Sequence, residues 1–286
     1  MINTLFFEQL KKYKPSDINQ IKNAMKEVLQ DIILSGLAKS EFFQHAAFYG
    51  GTSLRIFRGL PRFSEDLDFT LIEKVSNFVF DEYLVFVRKE LEILRVNFEI
   101  NTKEKSASTS VVSSFVIFNL KELFEISFKE YADKIIKNEV LSIKVEVETN
   151  YLEGGQTENK LLTYPSFVQI RTFTMDTLFA SKLLAVLGRK WKTRSKGRDF
   201  YDYLFYLSCN TSINLVFLEN GLKKSGLLND GEELTIARLK EELIKKFNSV
   251  DFQECVKDVY PFVKNEDPYI SAFTKEIFVS TVDLIK

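Results

Sequence analysis

The chain has 286 residues, of which 45% are hydrophobic, 28% are charged and 27 are phenylalanine, so it can bury a sizeable core as one large domain or two modest ones. The formal net charge of −1 excludes a global attraction to nucleic acid, so any such affinity must be local. Two cysteines without a Cys-x-x-Cys pair and a single histidine exclude a zinc ribbon, a redox motif and a His-based zinc site.

Helical and strand patterns alternate over the first part of the chain. Apolar spacing predicts a helix over residues 16–36, with Ser16 as its N-cap and Gly36 at its end. The elements predicted after it are a short helix over 39–45, a strand over 46–49, a glycine turn with a helix, a strand around 66–69, an amphipathic helix over 76–93, strands over 98–103 and 113–119 with a polar loop over 104–110, and a strand over 141–149.

The second part of the chain has a different character. Gly154-Gly155 and Pro165 bracket the change, and past Pro165 the pattern is helical almost to the end, so a boundary is expected near 155–170. No apolar run reaches the ~18 residues of a membrane span, and the first residues lack the order of a signal peptide. We therefore expect a cytoplasmic protein with no membrane partner and with reduced cysteines.

A glycine turn followed by two aspartates is the most informative local pattern. Gly50 and Gly51 remove Cβ atoms where the backbone could approach a phosphate. Thr52 and Ser53 can cap the helix that follows, and the first N–H groups of that helix would face an anion. This turn therefore suits phosphate binding.

The Asp-x-Asp set that follows suits a metal. In a strand, Asp66 and Asp68 share one face while Leu67 and Phe69 point into the core. Adjacent carboxylates are tolerable when a divalent cation lies between them, and Mg²⁺ takes such oxygens along with substrate phosphates. A turn suited to phosphate binding and a strand suited to metal binding, close together in sequence, indicate nucleotidyl or phosphoryl transfer.

The strand over 141–149 alternates strictly between apolar and charged residues. It would put Glu146 or Glu148 on the polar face of the same sheet as a third carboxylate. An ordinary solvent-facing strand with paired charges, including Lys144, is the alternative.

Seven basic residues fall between Asp176 and Asp199 with no acid among them: Lys182, Arg189, Lys190, Lys192, Arg194, Lys196 and Arg198. Charge runs are usually solvated loops. Trp191 inside the run instead suits stacking on nucleobases. Lys182 lies on an otherwise apolar helix face, where Asp199 and Asp202, three residues apart on the next helix, can meet it.

The segments Gly50–Leu54 and Arg62–Phe69 resemble the signature of the AbiEii-type toxins. These are nucleotidyltransferase-like proteins of bacterial abortive-infection and toxin–antitoxin systems, in the DNA polymerase β superfamily. The spacer between Gly51 and Asp66 contains 14 residues, numbers 52–65. A spacer of this length is at or just past the longest in the superfamily but suits the Arg-x-Ser-x-Asp-Leu-Asp variant of this subfamily.

The resemblance continues in the basic region, as a Lys-Leu-x-Ala helix, a basic loop and an Arg-Asp-x-Tyr-Asp helix. The residues in those places are Lys182, Arg198, Asp199, Tyr201 and Asp202. The resemblance assigns the lysine to nucleotide phosphate and gives Asp199 a functional role. It also makes Glu146 the first choice for the third carboxylate and Glu148 the second.

Residues and resemblance together predict an α/β fold plus an all-α part: a nucleotidyltransferase-type lobe with a small mixed sheet over 1–160, then a mostly helical lobe over 161–286 that completes the active-site cleft. The candidate catalytic residues are Asp66, Asp68, Lys182 and Asp199. The candidate nucleotide-binding residues are Gly50, Gly51, Thr52, Ser53, Arg62, Ser64 and Lys182. The candidate metal ligands, for Mg²⁺ or Mn²⁺, are Asp66, Asp68 and Glu146.

The reaction implied by the resemblance is transfer of a nucleoside monophosphate from an NTP to RNA, with the tRNA 3′ end as one such acceptor, and a cognate antitoxin protein is an expected partner. Two alternatives stay open at this point. One is a nucleotidyltransferase that modifies a small molecule or a protein, against which the basic loop counts. The other is a non-catalytic, nucleotide-dependent binding module, against which the complete carboxylate set counts.

Overall fold

The computed structural model describes residues 2–103, 110–189, 196–264 and 267–286. Its contacts divide the chain into two compact units. The first unit contains Met1–Ser53, Ser64–Tyr151 and Asn159–Thr172, and the second contains Leu54–Phe63, Leu152–Glu158 and Phe173–Lys286. The predicted loop over 104–110 lies, apart from Ser110, outside the described residues. A domain boundary at residue 160 stays a prediction.

The first unit carries the sheet and the helices around it. In chain order its elements are α1 (Ile2–Lys11), α2 (Ile18–Ala38), α3 (Phe42–His45), β1 (Ala46–Tyr49), the start of α4 (Gly50–Arg58), β2 (Leu67–Leu71), α5 (Asp81–Glu92), β3 (Phe98–Lys103), β4 (Val111–Asn119), α6 (Leu120–Ser127), α7 (Lys129–Ala132), β5 (Val140–Glu148), β6 (Thr157–Leu162) from Asn159 onward, and β7 (Val168–Phe173) up to Thr172.

Within the described residues the strands form one seven-stranded sheet in the order β3-β4-β5-β2-β1-β7-β6. The sheet is mixed, because β2 pairs with β5 and β1 with β7 in parallel, whereas β1–β2, β3–β4 and β4–β5 are antiparallel. This sheet, with the helices that follow it in sequence, confirms the predicted fold class.

The alternation predicted for residues 141–149 is present in β5. Ile143, Val145 and Val147 are fully buried on one face. Glu146 and Glu148 are on the other face and are only partly buried. A strand with period 2 divides its side chains in this way when one face covers a core.

The helix predicted over 16–36 forms, but both of its ends differ from the prediction. Asp17, not Ser16, is the N-cap, and its side chain accepts a hydrogen bond from the N–H of Gln20. The helix also continues past Gly36, which was expected to end it. A Cβ on Gly36 would lie 2.6 Å from the Cα of Val87 in α5, so the glycine permits close contact between two helices.

The helix predicted to begin at Ser76 begins at Asp81 instead. The aromatic residues before it belong to a cluster of rings rather than to a helix face. The ring centroids of Phe80 and Phe42 are 5.6 Å apart, and Phe78 stacks on Tyr83 with their centroids 5.7 Å apart. Burial of aromatic area competes with helix periodicity here and determines where the helix starts.

The second unit is mainly helical. After the end of α4, its helices are α8 (Met175–Gly188), α9 (Gly197–Ser208), α10 (Leu215–Lys224), α11 (Ile236–Asn248), α12 (Phe252–Val259) and α13 (Lys275–Thr281). Phe278 of α13 stacks on Phe252 at 4.4 Å and meets Phe247 edge-to-face at 5.4 Å, which gives this unit its own aromatic core.

The expectation of a helical pattern directly after Pro165 was wrong. Residues Val168–Phe173 form β7, in which Phe48 of β1 and Thr172 are register partners in a parallel pair. Ile170 and Thr172 are fully buried, whereas Gln169 is exposed and Arg171 is only partly buried, as the alternation of a strand requires; Phe173, at the end of β7, is buried as well. In the part of the chain that the structure describes, no helix is both long and apolar enough to cross a membrane.

Candidate functional site

The glycine turn lies directly against β2, the strand that carries Asp68; Asp66, predicted to lie in the same strand, comes just before its first residue, Leu67. Tyr49 at the end of β1 is the register partner of Asp68 in β2. Gly50 follows with a φ of +77°, and a Cβ at that position would lie 2.6 Å from Oδ2 of Asp68. Any side chain at residue 50 would therefore displace the carboxylate, in addition to the strain of a left-handed backbone.

Helix α4 begins at Gly50, so Thr52 and Ser53 lie in its first turn and do not cap it, contrary to the expectation. Both side chains are buried. The hydroxyl of Thr52 donates to the carbonyl oxygen of Asp66. Ser53 Oγ lies 2.8 Å from Thr172 Oγ1, which itself donates to the carbonyl of Phe48. These hydroxyls fasten the start of α4 to the strands.

The strand register brings Glu146 level with Asp68. The two residues are register partners in the parallel pair β2–β5, whereas Glu148 is the partner of Thr70. Because direct partners share a face, Glu146 is the carboxylate nearer in register to Asp68. Its Oε1 accepts a hydrogen bond of 2.9 Å from Ser113 and lies 2.7 Å from Nζ of Lys144.

Hard carboxylate oxygens suit a divalent cation. Among the described residues, no three His, Cys, Asp or Glu side chains converge closely enough to hold a metal ion by themselves. Mg²⁺ is usually held by one or two carboxylates while substrate phosphates and water complete its shell. The donor chemistry of Asp66, Asp68 and Glu146 fits that kind of site, with the substrate as a contributor.

The backbone that leads into the aspartates is held by α2. Gln30 Nε2 donates to the carbonyl of Ser64 at 3.1 Å and to that of Glu65 at 2.8 Å, and Lys26 pairs with the Glu65 side chain at 2.6 Å. Ser64, predicted to contact nucleotide, is 9% exposed, and its carbonyl oxygen accepts one of the two hydrogen bonds from Gln30. The helix thus fixes the approach to Asp66.

In the second unit, Lys182 meets both aspartates of α9, as the sequence indicated. Its Nζ lies 2.8 Å from Asp199 Oδ1 and 2.9 Å from Asp202 Oδ2. Burial alone would lower the pKa of Lys182, but the two carboxylates outweigh it and raise the pKa above its ordinary value. Lys182 is therefore a charged ammonium at neutral pH.

Two arginines complete this group of charges, and sequence reasoning missed both contacts. Arg62 forms a two-pronged ion pair with Asp202, at 2.7 Å for each bond. Arg189 pairs with the second oxygen of Asp199. Burial alone would raise the pKa of Asp202, yet the charges of Arg62 and Lys182 hold it below its ordinary value. We call these five residues, Arg62, Lys182, Arg189, Asp199 and Asp202, the charge cluster.

The remaining residues of the second motif make structural contacts in this unit. The Arg198 guanidinium lies over the ring of Phe262 at 4.3 Å, and the Tyr201 hydroxyl donates to Asp267 at 2.8 Å. Of the basic run, Lys190, Lys192 and Arg194, together with Trp191, lie outside the described residues.

The sequence model of the family described as "Nucleotidyl transferase AbiEii toxin, Type IV TA system" matches residues 32–275. No curated protein matches the chain. Among solved structures the chain is similar to MenT4, a nucleotidyltransferase toxin from Mycobacterium tuberculosis, at 16% identity and a TM-score of 0.58, over 99% of this chain and 88% of that chain. It is also similar to JHP933 from Helicobacter pylori, at 18% identity and a TM-score of 0.51, over 92% of this chain and 90% of that chain.

These structures share the fold, and the family match covers most of the chain. Both findings agree with the resemblance that the motifs indicated, and the family match argues against a non-catalytic binding module. The chain therefore belongs to the AbiEii family of nucleotidyltransferase toxins and is a nucleotidyltransferase.

Proposed function

We propose that this nucleotidyltransferase transfers a nucleoside monophosphate from an NTP to an RNA acceptor, with release of pyrophosphate and with Mg²⁺ or Mn²⁺ as its metal. Modification of the acceptor stops growth, as befits a toxin. The family is that of a type IV toxin–antitoxin system, which implies an antitoxin partner.

One observation carries the proposal: the absent Cβ of Gly50 would lie 2.6 Å from the Asp68 carboxylate. The first N–H groups of α4 and the aspartate face are therefore neighbours. A helix start attracts anions, and an aspartate pair attracts divalent cations. An NTP complexed with a metal ion presents both charges together, so its phosphates fit the start of α4 and its metal fits Asp66 and Asp68.

Asp66, Asp68 and Glu146 would hold the metal, and the register of Glu146 with Asp68 supports this choice over Glu148. When bound, the metal would neutralise the phosphates and activate the acceptor oxygen. The buried hydroxyls of Thr52 and Ser53 are bonded within the protein. Their contribution to phosphate binding would therefore come from backbone N–H groups.

Lys182 is assigned to the NTP phosphates. A lysine ammonium has three N–H donors, and the described contacts direct two of them at Asp199 and Asp202. The third donor suits a phosphate oxygen. The side chain of Lys182 is 12% exposed, which leaves it a limited access to ligand. Asp199 would act by holding this ammonium in place.

RNA as the acceptor rests on the basic run with Trp191 inside it. Lys and Arg bind a phosphate backbone, and an aromatic ring in the same segment stacks on a base. The resemblance points to the 3′ end of tRNA within this class. A small molecule or a protein would need no such run.

The test uses purified protein, total RNA and each NTP radiolabelled at either the α- or the γ-phosphate. We expect label to enter RNA from the α-phosphate only, and to be lost on chelation of divalent metal and in Asp68→Asn. Glu146→Gln should lose transfer, whereas the matched Glu148→Gln, two register positions along β5 on the same face, should retain it. Transfer from the γ-phosphate, or metal-independent transfer, would overturn the proposal. Label that enters protein or a small molecule in place of RNA would contradict RNA as the acceptor.

A further inference from the structure

The Arg62–Asp202 pair stands out within the charge cluster for its geometry. Nε and Nη2 of Arg62 donate to the two carboxylate oxygens of Asp202, each at 2.7 Å, and Nη1 donates to the carbonyl of Phe63 at 2.9 Å. The side chains are 3% and 0% exposed. All three guanidinium nitrogens therefore bind the protein itself, and the group is closed to solvent.

This geometry argues against Arg62 as a nucleotide ligand. A guanidinium that reads a phosphate offers its two-pronged edge to the ligand. In Arg62 that edge is occupied by Asp202, and burial leaves no path for a phosphate to compete for it. The nucleotide-binding role expected for Arg62 from sequence needs a different explanation.

Asp202 connects Arg62 to Lys182. Its Oδ2 accepts from Arg62 at 2.7 Å and lies 2.9 Å from Nζ of Lys182. The planar arginine fork fixes both oxygens of the carboxylate, which a single point charge could not do. Because Asp202 cannot rotate, the ammonium that it holds has a fixed position as well.

The charge cluster carries a net positive charge. Among the described contacts, three cationic side chains, Arg62, Lys182 and Arg189, share two carboxylates, Asp199 and Asp202, so one positive charge is in excess within the cluster. A pair kept only for stability could be replaced by apolar residues, since buried ion pairs contribute little net stability. An excess of positive charge held in fixed geometry is instead suited to an anion.

We infer that Arg62 is a positioning residue: through the fully buried Asp202 it orients the Lys182 ammonium toward the NTP phosphates and does not touch the nucleotide itself. The inference rests on the proposed function for the identity of the ligand, but not for the placement of Lys182.

The experiment is a double-mutant cycle with Arg62→Met, Asp202→Leu and the combined variant. Equilibrium affinity is measured for the NTP, among the four common ones with Mg²⁺, that the wild-type protein binds most tightly. If Arg62 acts through Asp202, each single variant weakens NTP binding by about tenfold, in the range for groups that orient a binding residue. The combined variant then also weakens it by about tenfold, because the effects are not additive.

The combined variant also protects the test from a loss of fold. Removal of one partner strands a buried charge, whereas replacement of both by apolar residues is often tolerated. The control is another arginine–carboxylate pair of this unit, Arg58 with Glu158, whose Nη2–Oε1 distance is 2.6 Å and whose side chains are 8% and 34% exposed. Arg58→Met combined with Glu158→Leu should leave NTP affinity unchanged.

A second readout follows Lys182 directly, by the rate at which a lysine-selective acylating reagent labels it, read by mass spectrometry. We expect faster labelling in the combined Arg62→Met and Asp202→Leu variant than in wild type, and an unchanged rate in the control pair.

Three results would overturn the inference. The first is a loss of NTP affinity of about a hundredfold in the combined variant, which is the product of the two single effects. The second is an NTP affinity that the combined variant leaves unchanged although Lys182→Ala weakens it. The third is an unchanged labelling rate of Lys182 in the combined variant. If Lys182→Ala itself leaves NTP affinity intact, the phosphate assignment of the proposed function fails, and the labelling rates alone decide the role of Arg62.

Discussion

Gly50→Ala isolates the contact between the glycine turn and Asp68 of β2. The added Cβ would start 2.6 Å from Asp68 Oδ2, below the 3.0 Å that real Cβ contacts observe, so the carboxylate must retreat by at least about 0.4 Å, the difference between the two. The φ of +77° adds strain of about 1–2 kcal/mol for a residue with a Cβ.

The two costs can be separated with Gly59, which has a φ of +76° and no atom within 4 Å of its ideal Cβ position. Both alanine variants should therefore lose a similar stability, about 2–4 °C in Tm for each kcal/mol. Only Gly50→Ala should lose transfer activity. Misplacement of a catalytic group by about 1 Å can cost about a hundredfold, so a smaller shift predicts a loss of between about tenfold and a hundredfold.

The assay compares the rate of NTP transfer and the thermal melt of the two variants with those of wild type. Equal activity in Gly50→Ala and Gly59→Ala, at similar melting temperatures, would refute the reasoning. It would mean that the Asp68 carboxylate can move without consequence, and hence that it is not held by the turn for catalysis.

The basic run and a buried carboxyl give further predictions. Alanine at Lys190, Lys192 and Arg194 should flatten the slope of log affinity for RNA against log salt by about 2, at about 0.7 for each phosphate contact on a single strand. Trp191→Ala should weaken RNA binding by about 1–3 kcal/mol and leave NTP affinity intact; unchanged RNA affinity in both would mark the run as a solvated loop. Burial raises the pKa of Asp31 well above 3.8, so folded Asp31 keeps a proton that the unfolded chain loses, and stability falls as the pH rises from 3.8 toward the folded pKa. Asp31→Asn should therefore melt higher than wild type by a margin that grows with pH, and a margin independent of pH would contradict this.

The parts of the site that sequence predicted well are those encoded over a few neighbouring residues. Strict alternation in β5 assigned Glu146 to the polar face, and the spacing of Asp199 and Asp202 put both on the helix face that meets Lys182. Period and spacing are local properties, so they survive folding unchanged.

What sequence could not give depends on residues far apart in the chain. Arg62 and Asp202 are 140 positions apart, and nothing local to either shows that they pair. Gly36 has the pattern of a helix end, but its function is the close approach of Val87 from another helix. Partners of this kind are decided by tertiary packing, which overrides local signals.

The strand Val168–Phe173 was not predicted from sequence, for a related reason. It is short and is followed at once by α8, so its alternation is easily absorbed into a helical reading of the whole segment. Its parallel partner β1 lies more than a hundred residues earlier in sequence, as the pairing of Phe48 with Thr172 shows. Only that pairing, not propensity, defines it as a strand.

The central claim is that this chain adds nucleotides to RNA by metal-dependent transfer at the aspartate strand. The most direct measurement is sequencing of RNA 3′ ends from cells after induced expression of the wild-type chain or of Asp68→Asn. The account predicts untemplated 3′ nucleotides and growth arrest with the wild-type chain and neither with the variant. Growth arrest by the wild-type chain with unaltered RNA 3′ ends would contradict it.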